Sequence, residues 1–241
     1  MIEFRNVSFA YEKNRPVLSG ISFHIDEGEN VGLIGANGAG KSTVMKLLLG
    51  FLQGEGEILV HDIPVCKDTL AEIRKICGFV LQNSDDQMFM PTVLEDLMFG
   101  PVNYGMTKQQ AERKADEVLA GLDIAYLKNR YNHRISGGEK RMAAVASVLA
   151  MEPEVLLMDE PTAALDPYNR RMIINTIRKL PQTKIITSHD LDMILDTCTR
   201  VILIGGGTVA ADGPAEEILT NKKLLEAHRL ELPLRFSGSS I

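Results

Sequence analysis

The sequence predicts an α/β fold built on a mostly parallel sheet, with an N-terminal antiparallel β subdomain and an inserted helical subdomain. Three observations predict it. Apolar and polar residues alternate through the first thirty positions; short apolar runs in the C-terminal half are separated by helical stretches; and one early apolar run passes through a glycine-rich turn into a helix.

Ile2 and Phe4, then Val7 and Phe9, and again Ile21, Phe23 and Ile25 mark half-buried antiparallel strands with turns between them. Asn30 to Ile34 is a short strand that runs into Gly35-Ala36-Asn37-Gly38-Ala39-Gly40, and Lys41 to Leu49 reads as a helix ended by Gly50. Glu57 to Val60 and Gly78 to Leu81 read as further strands. From about Thr92 to Met151 the periodicity is helical, punctuated by Pro101 and Gly105. Val155 to Met158, Lys184 to Thr187 and Val201 to Ile204 alternate with helices at Tyr168 to Leu180 and Leu191 to Cys198, the pattern of a parallel sheet. The chain therefore reads as a single domain. Residues 1–83 and 152–221 form the α/β core with its β subdomain, 84–151 the helical subdomain, and 222–241 a short tail, of which Arg235 to Ile241 are expected to fray.

Composition excludes several classes. The net charge of −6, the absence of Trp and the lack of a Lys/Arg block argue against a nucleic-acid surface. No apolar run approaches the roughly 18 residues that a membrane-spanning helix needs. The N-terminus, with Glu3 after Met1-Ile2, carries no signal-peptide pattern. Cys66, Cys77 and Cys198 have no metal-ligand spacing and read as small buried hydrophobes in a reducing compartment.

Gly35 to Ser42 fits G-x-x-x-x-G-K-[ST] between a strand and a helix, the P-loop of an NTPase core. In that motif Gly35, Asn37, Gly38 and Gly40 bring backbone N–H groups round phosphate oxygens, Lys41 supplies a cation, and the Ser42 hydroxyl reaches Mg2+, with Thr43 beside it. The strand Val155 to Met158 then delivers Asp159 and Glu160. Alone the pair would serve as a helix cap; beside a phosphate loop, Asp159 holds magnesium through its water shell and Glu160 acts as general base for the attacking water.

Taken in order and spacing, Gly35 to Ser42, Ser136-Gly137-Gly138, Asp159-Glu160, Ala164-Leu165-Asp166 and His189 resemble the nucleotide-binding subunit of an ABC transporter over nearly the whole chain. The resemblance implies ATP and Mg2+ as ligands, and a head-to-tail dimer in which Ser136, Gly137 and Gly138 of one subunit close on the ATP of the other. It implies that Tyr11 stacks on adenine, that Gln82 touches magnesium and links the core to the helical insert, and that His189 contacts the γ-phosphate. Asp166 would communicate between the two sites. The sequence departs from the usual pattern at Ile135 (Leu), at Glu139 (Gln), and at Ala163-Ala164, where Ser-Ala or Ala-Gly is usual. None of these removes a phosphate ligand or the base.

Gln82-Asn83-Ser84-Asp85-Asp86-Gln87 is similar to the Q-N-P-D-D-Q segment of ATPases in energy-coupling-factor vitamin importers and cobalt or nickel importers, with Ser84 in place of Pro. The resemblance implies a micronutrient importer acting at the cytoplasmic face of the membrane, as a homodimer or paralogous heterodimer bound to integral membrane subunits and not to nucleic acid. The alternatives are an ATPase of another ABC transporter class, a weakly hydrolysing regulatory subunit, or a soluble ABC ATPase, for which the span between Ser42 and Ser136 is too short to hold a long coiled coil. Unrelated P-loop kinases lack the Ser136-Gly137-Gly138 and His189 pair.

Overall fold

A computed structural model describes residues 1–13 and 15–236. The chain opens with β1 (Ile2–Glu12), β2 (Arg15–Ile25) and β3 (Asn30–Ile34), then α1 (Lys41–Leu48), β4 (Glu55–Val60), β5 (Ile63–Pro64), α2 (Leu70–Ile76) and β6 (Cys77–Val80). There follow α3 (Ser84–Gln87), α4 (Val93–Asn103), α5 (Lys108–Gly121), α6 (Gly137–Leu149), β7 (Val155–Asp159) and α7 (Pro167–Lys179). The chain continues through β8 (Thr183–Thr187), α8 (Leu191–Thr197), β9 (Arg200–Gly205), β10 (Thr208–Pro214), α9 (Ala215–Thr220) and α10 (Lys222–Ala227). It divides into two compact units, Met1–Cys77 with the segment from Pro181 onward, and Gly78–Leu180.

The first unit holds an antiparallel sheet in the order β2-β1-β4-β5 and the strands β10-β9-β3-β8 of a second sheet. β3 is parallel to both β8 and β9, whereas β10 returns antiparallel to β9. This is the mostly parallel core and antiparallel N-terminal sheet that the sequence predicts. The pairing also explains the irregular spacing of the first apolar positions. Phe4 pairs Phe23 but Val7 pairs Ile21, so β1 carries one extra residue there, and Asn6 takes φ 50. That bulge returns Val7 to the buried face: Ile2, Phe4 and Val7 are each 1% exposed or less, and Phe4 stacks on Phe23 at 4.5 Å between ring centroids.

Three local readings are corrected. Cys66 is exposed, because it follows the edge strand β5, while Cys77 and Cys198 are buried; burial pushes the Cys198 thiol up to about 12. Arg235 is not frayed: Asp192 on α8 accepts its Nε at 2.7 Å together with the backbone N–H of Leu234 at 2.7 Å, and Asp196 takes its Nη2 at 2.9 Å. The remainder of the expected frayed end, 237–241, lies outside the described residues. Pro101 sits inside α4, in its last turns, and does not end it.

In the second unit β6 and β7 are adjacent strands, and four helices, α3 to α6, come between them in sequence. Capping boxes start the three longest of these, at Thr92, Thr107 and Ser136, each with a Glu or Gln three residues on. A buried hub fixes the approach to α4, where Asp96 accepts the N–H groups of Phe89 and Met90 and the side-chain amide of Asn132. Burial raises the Asp96 pKa against the pull of those donors.

Removing the stacked ring at Phe4 leaves a cavity between β1 and β2 that the paired strands cannot collapse. Phe4→Ala should lower unfolding free energy by about 3 kcal/mol or more in urea titration, with an unchanged denaturant slope.

Candidate functional site

The phosphate loop joins β3 to α1, and its geometry comes from two glycines. Gly35 has φ 154 and a Cβ there would lie 2.4 Å from the Ile204 carbonyl oxygen of β9; Gly40 has φ 107 and its Cβ would lie 2.7 Å from Leu18. Only glycine reconciles the turn with its packing. Asn37 and Gly38 are exposed at the loop tip, and a Cβ on Gly38 would meet nothing within 4 Å. The Lys41 ammonium folds back over the loop, donating to the carbonyls of Gly35 at 2.8 Å and Ala36 at 3.1 Å. Its stem is buried while its charge stays at the loop.

Ser42 is half-buried on the first turn of α1, and Thr43 is buried with its hydroxyl 3.4 Å from that of Tyr11. Tyr11 is 57% exposed, edge-on to Phe9 at 4.8 Å, so its outer ring face is open for stacking. His189 is in the same unit. β3 and β8 pair in parallel with Leu33 beside Thr187, so Gly35 and the exposed His189 leave the same end of adjacent strands, where open α/β sheets bind ligands. Asp190 follows as the cap of α8, accepting the Met193 N–H at 3.0 Å.

The second unit carries the remaining candidates. β7 ends in Asp159, half-buried, and Glu160 follows with φ 48. A left-handed glutamate costs about 1 kcal/mol, strain of a kind that persists where a side chain must be aimed. The Glu160 carbonyl accepts the Ala163 N–H at 3.0 Å, and Ala164 is left-handed too, at φ 58. These turns lead to Asp166, which caps α7 by accepting the N–H groups of Tyr168 at 2.9 Å and Asn169 at 3.0 Å. Those bonds, that of Asn169 foremost, hold its carboxyl below the usual carboxylate range.

Ser136 caps α6. Its hydroxyl oxygen accepts the Glu139 N–H at 3.3 Å, leaving the hydroxyl proton to donate, and its own N–H donates to the Glu139 carboxylate at 2.8 Å. That backbone bond, with help from the Ser136 and Tyr126 side chains and the charge of Arg130, lowers the Glu139 pKa. The two glycines after Ser136 differ in what they do. Gly137 is exposed with open space at its Cβ position, whereas a Cβ on Gly138 would lie 2.2 Å from Asn169 of α7. Gln82 is exposed directly after β6 and Leu81.

Residues 18–163 match the ABC transporter family. A putative ABC transporter ATP-binding protein of Geobacter sulfurreducens is 46% identical over 100% of this chain and 97% of its own length. The energy-coupling factor transporter ATP-binding protein EcfA of Methanoculleus marisnigri is 38% identical over 97% of this chain and 86% of its own. The solved structure of cbiO1 from Clostridium perfringens, part of the ABC transporter complex cbiONQ, superimposes with a TM-score of 0.84 at 32% identity, covering 94% of this chain and 93% of that one.

The chain belongs to the ABC transporter ATPase family. It is an ATP-hydrolysing transporter subunit, and no helix among the described residues is long and apolar enough to cross a membrane.

Sequence reasoning passes over several residues that shape this ABC ATPase. Arg141 and Gln87 tie the Leu81–Gln82 backbone to α6, and Asn169 fills the space beside Gly138 while bonding Asp166. The final Gln of the Gln82 to Gln87 segment belongs to the resemblance, but nothing in its spacing tells that it reaches back to Leu81, directly after β6. Arg141 stands directly after Glu139-Lys140 and before Met142-Ala143-Ala144-Val145-Ala146, so the letters place it at the charged edge of an apolar run and carry no signal for a buried polar role.

The asymmetry of the two glycines gives a test. Gly138→Ala should lose about 1–3 kcal/mol of stability through the clash with Asn169, whereas Gly137→Ala should keep its melting temperature; calorimetry on the two variants reads both.

Proposed function

We propose that the chain energises an ABC importer for a micronutrient, a cobalt or nickel ion or a vitamin, through membrane partner proteins. The observation that carries this reading is the Gln82-Asn83-Ser84-Asp85-Asp86-Gln87 segment, held on α6 where it can receive a membrane partner. The similarity to EcfA and cbiO1 supports it. The working form is a dimer, of two identical chains or of paralogues, docked at the cytoplasmic face of the membrane on integral membrane subunits and without nucleic acid.

The phosphate loop fits a nucleoside triphosphate. Its tip is exposed, its glycine turn leaves room at Gly38, and the Lys41 ammonium sits against the loop carbonyls. The donors proposed for Mg2+, the Ser42 hydroxyl, the Asp159 carboxylate and the Gln82 amide, are hard oxygen ligands of the type this ion takes. Among the described residues no cluster of three or more His, Cys, Asp or Glu would hold a metal alone, which suits an ion shared with nucleotide phosphates and water. When bound, Mg2+ neutralises charge developing on the phosphate oxygens.

In the proposed reaction Lys41 and the loop N–H groups of Gly35 to Thr43 hold the phosphates, and Tyr11 stacks on the base. Glu160 accepts the proton of the attacking water, its backbone strain fixing the carboxylate's direction. His189 donates to the γ-phosphate. Ser136, Gly137 and Gly138 offer a hydroxyl and helix N-terminal N–H groups to the nucleotide held by the other subunit, and Asp166 relays between the two sites. Binding that favours the closed dimer drives the membrane partner only through this difference in affinity.

Glu160→Gln should keep ATP binding and lower turnover by about a hundredfold or more, trapping the closed dimer. Affinity purification of that variant from detergent-solubilised native membranes, followed by mass spectrometry, should recover one polytopic coupling protein and a small substrate-binding membrane protein. Recovery of only soluble partners would overturn the importer reading.

A further inference from the structure

Arg141 is 4% exposed in the second turn of α6, and among the described residues no carboxylate pairs with it. Burial alone depresses its pKa, and its Nε, also buried, has no hydrogen-bond partner. A guanidinium in such a place is costly, and an apolar side chain of similar size would pack there at no electrostatic cost. What the residue does with its charge is specific. Nη1 donates to the Leu81 carbonyl at 2.6 Å and Nη2 to the Gln82 carbonyl, so one planar fork grips two consecutive carbonyls.

The same helix face holds the rest of the segment. The Leu81 N–H donates to Gln87 Oε1 at 2.9 Å, and Gln87 Nε2 donates to the Ala144 carbonyl at 2.7 Å and to Ser147 Oγ at 3.1 Å. Lys140 pairs with Asp85. Lys140, Arg141, Ala144 and Ser147 thus present two turns of α6 to residues 81–87, and the N-cap of that helix is Ser136. Both the N–H and the carbonyl of Leu81 are bonded to α6 or to a side chain anchored on it. The Gln82 backbone therefore has little freedom to move except with α6.

We infer that Arg141 is a positioning residue: through the Leu81 and Gln82 carbonyls it fixes the Gln82 side chain relative to Ser136, so that engagement of nucleotide at Ser136 and contact of Gln82 with Mg2+ are one event. The inference rests on the ATPase reading above and adds to it the residue that makes the two contacts interdependent. The retained cost of the buried charge goes to orientation, which a hydrophobic residue cannot supply.

The test uses the assembled transporter in proteoliposomes with Arg141→Met and Arg141→Lys. Arg141→Met removes the charge and both donors, while Arg141→Lys keeps the charge but cannot bridge two carbonyls as a fork. Arg141→Met should keep its melting temperature and its affinity for ATP without metal, because neither depends on the fork. It should raise the Mg2+ concentration for half-maximal hydrolysis by about tenfold, lower kcat by about tenfold with little change in KM, and be only partly restored in Arg141→Lys. With no nucleotide present, amide hydrogen exchange across residues 81–87 should speed up in the variant while exchange across the phosphate loop stays unchanged.

Wild-type exchange at 81–87 together with a wild-type Mg2+ requirement in Arg141→Met would overturn the inference. Should Arg141→Met fail to fold, the same two readings on Arg141→Lys decide. A wild-type complex without Mg2+-dependent hydrolysis would instead remove the ATPase reading on which the inference stands.

Discussion

A phosphate held by main-chain N–H groups needs a turn in which successive N–H groups converge, and the backbone of that turn must come within van der Waals contact of its neighbours. In this protein the requirement reaches into the sheet. Gly35 is tolerable only as glycine because the Ile204 carbonyl of β9 is where its Cβ would be, and β9 is there because it pairs with β3 in parallel. The loop, the strand order and the helix that follows are thus one constraint. The parallel neighbours of β3 on both sides then bring other strand ends to the same edge, which is how His189 arrives beside the loop without any sequence proximity to it.

In the proposed reaction the second unit meets an anion differently, with a helix N-terminus instead of a glycine cradle. The capping box at Ser136 satisfies the Ser136 N–H through Glu139, and the Ser136 hydroxyl also bonds the Glu139 carboxylate, so the groups that stay open for the proposed phosphate are the N–H groups exposed around Gly137. Two of this unit's left-handed non-glycine residues, Glu160 and Ala164, lie two motifs further on, while Asp123 and Glu152 take the same conformation elsewhere in it. Glu160 and Ala164 survive because β7 and the Asp166 cap of α7 pin the chain on either side, so the strain is carried by well-bonded elements.

Much of this was legible in the sequence because the chemistry depends on local order. A phosphate loop must follow a strand and open a helix, and β3, Gly35 to Gly40 and α1 show that order in the letters. The parallel core strands, read as Val155 to Met158, Lys184 to Thr187 and Val201 to Ile204, lie inside β7, β8 and β9 because fully buried strands leave unbroken apolar runs. What escaped was set by long-range contact. The bulge at Asn6 has no marker other than the odd step from Phe4 to Val7. Cys66 is exposed because β5 is a short edge strand, and Arg235 is ordered because Asp192 and Asp196 sit one turn apart on α8. Arg141 is the clearest case, since the carbonyls it serves lie about sixty residues earlier and no periodicity encodes them.

Glu139 shows how little of such a site is geometry. A glutamine there could accept the Ser136 N–H through its amide oxygen as well as the carboxylate does, so the capping box leaves the choice open and charge is what separates them. The Ser136 N–H and the Tyr126 hydroxyl keep Glu139 ionised, and the partial positive charge at the start of α6 offsets roughly half of it. In the proposed dimer a triphosphate approaching Ser136 would therefore meet a residual negative charge. Its own counter-cation reduces the repulsion, and Arg130 contributes opposite charge nearby. Occupancy of the helix N-terminus is consequently tied to how fully the nucleotide is neutralised, the same quantity that Gln82 and Asp159 are proposed to control through Mg2+. In a subunit whose segment 81–87 is bonded along the face of α6, charge balance at one end of the helix and backbone position beside it are parts of one equilibrium.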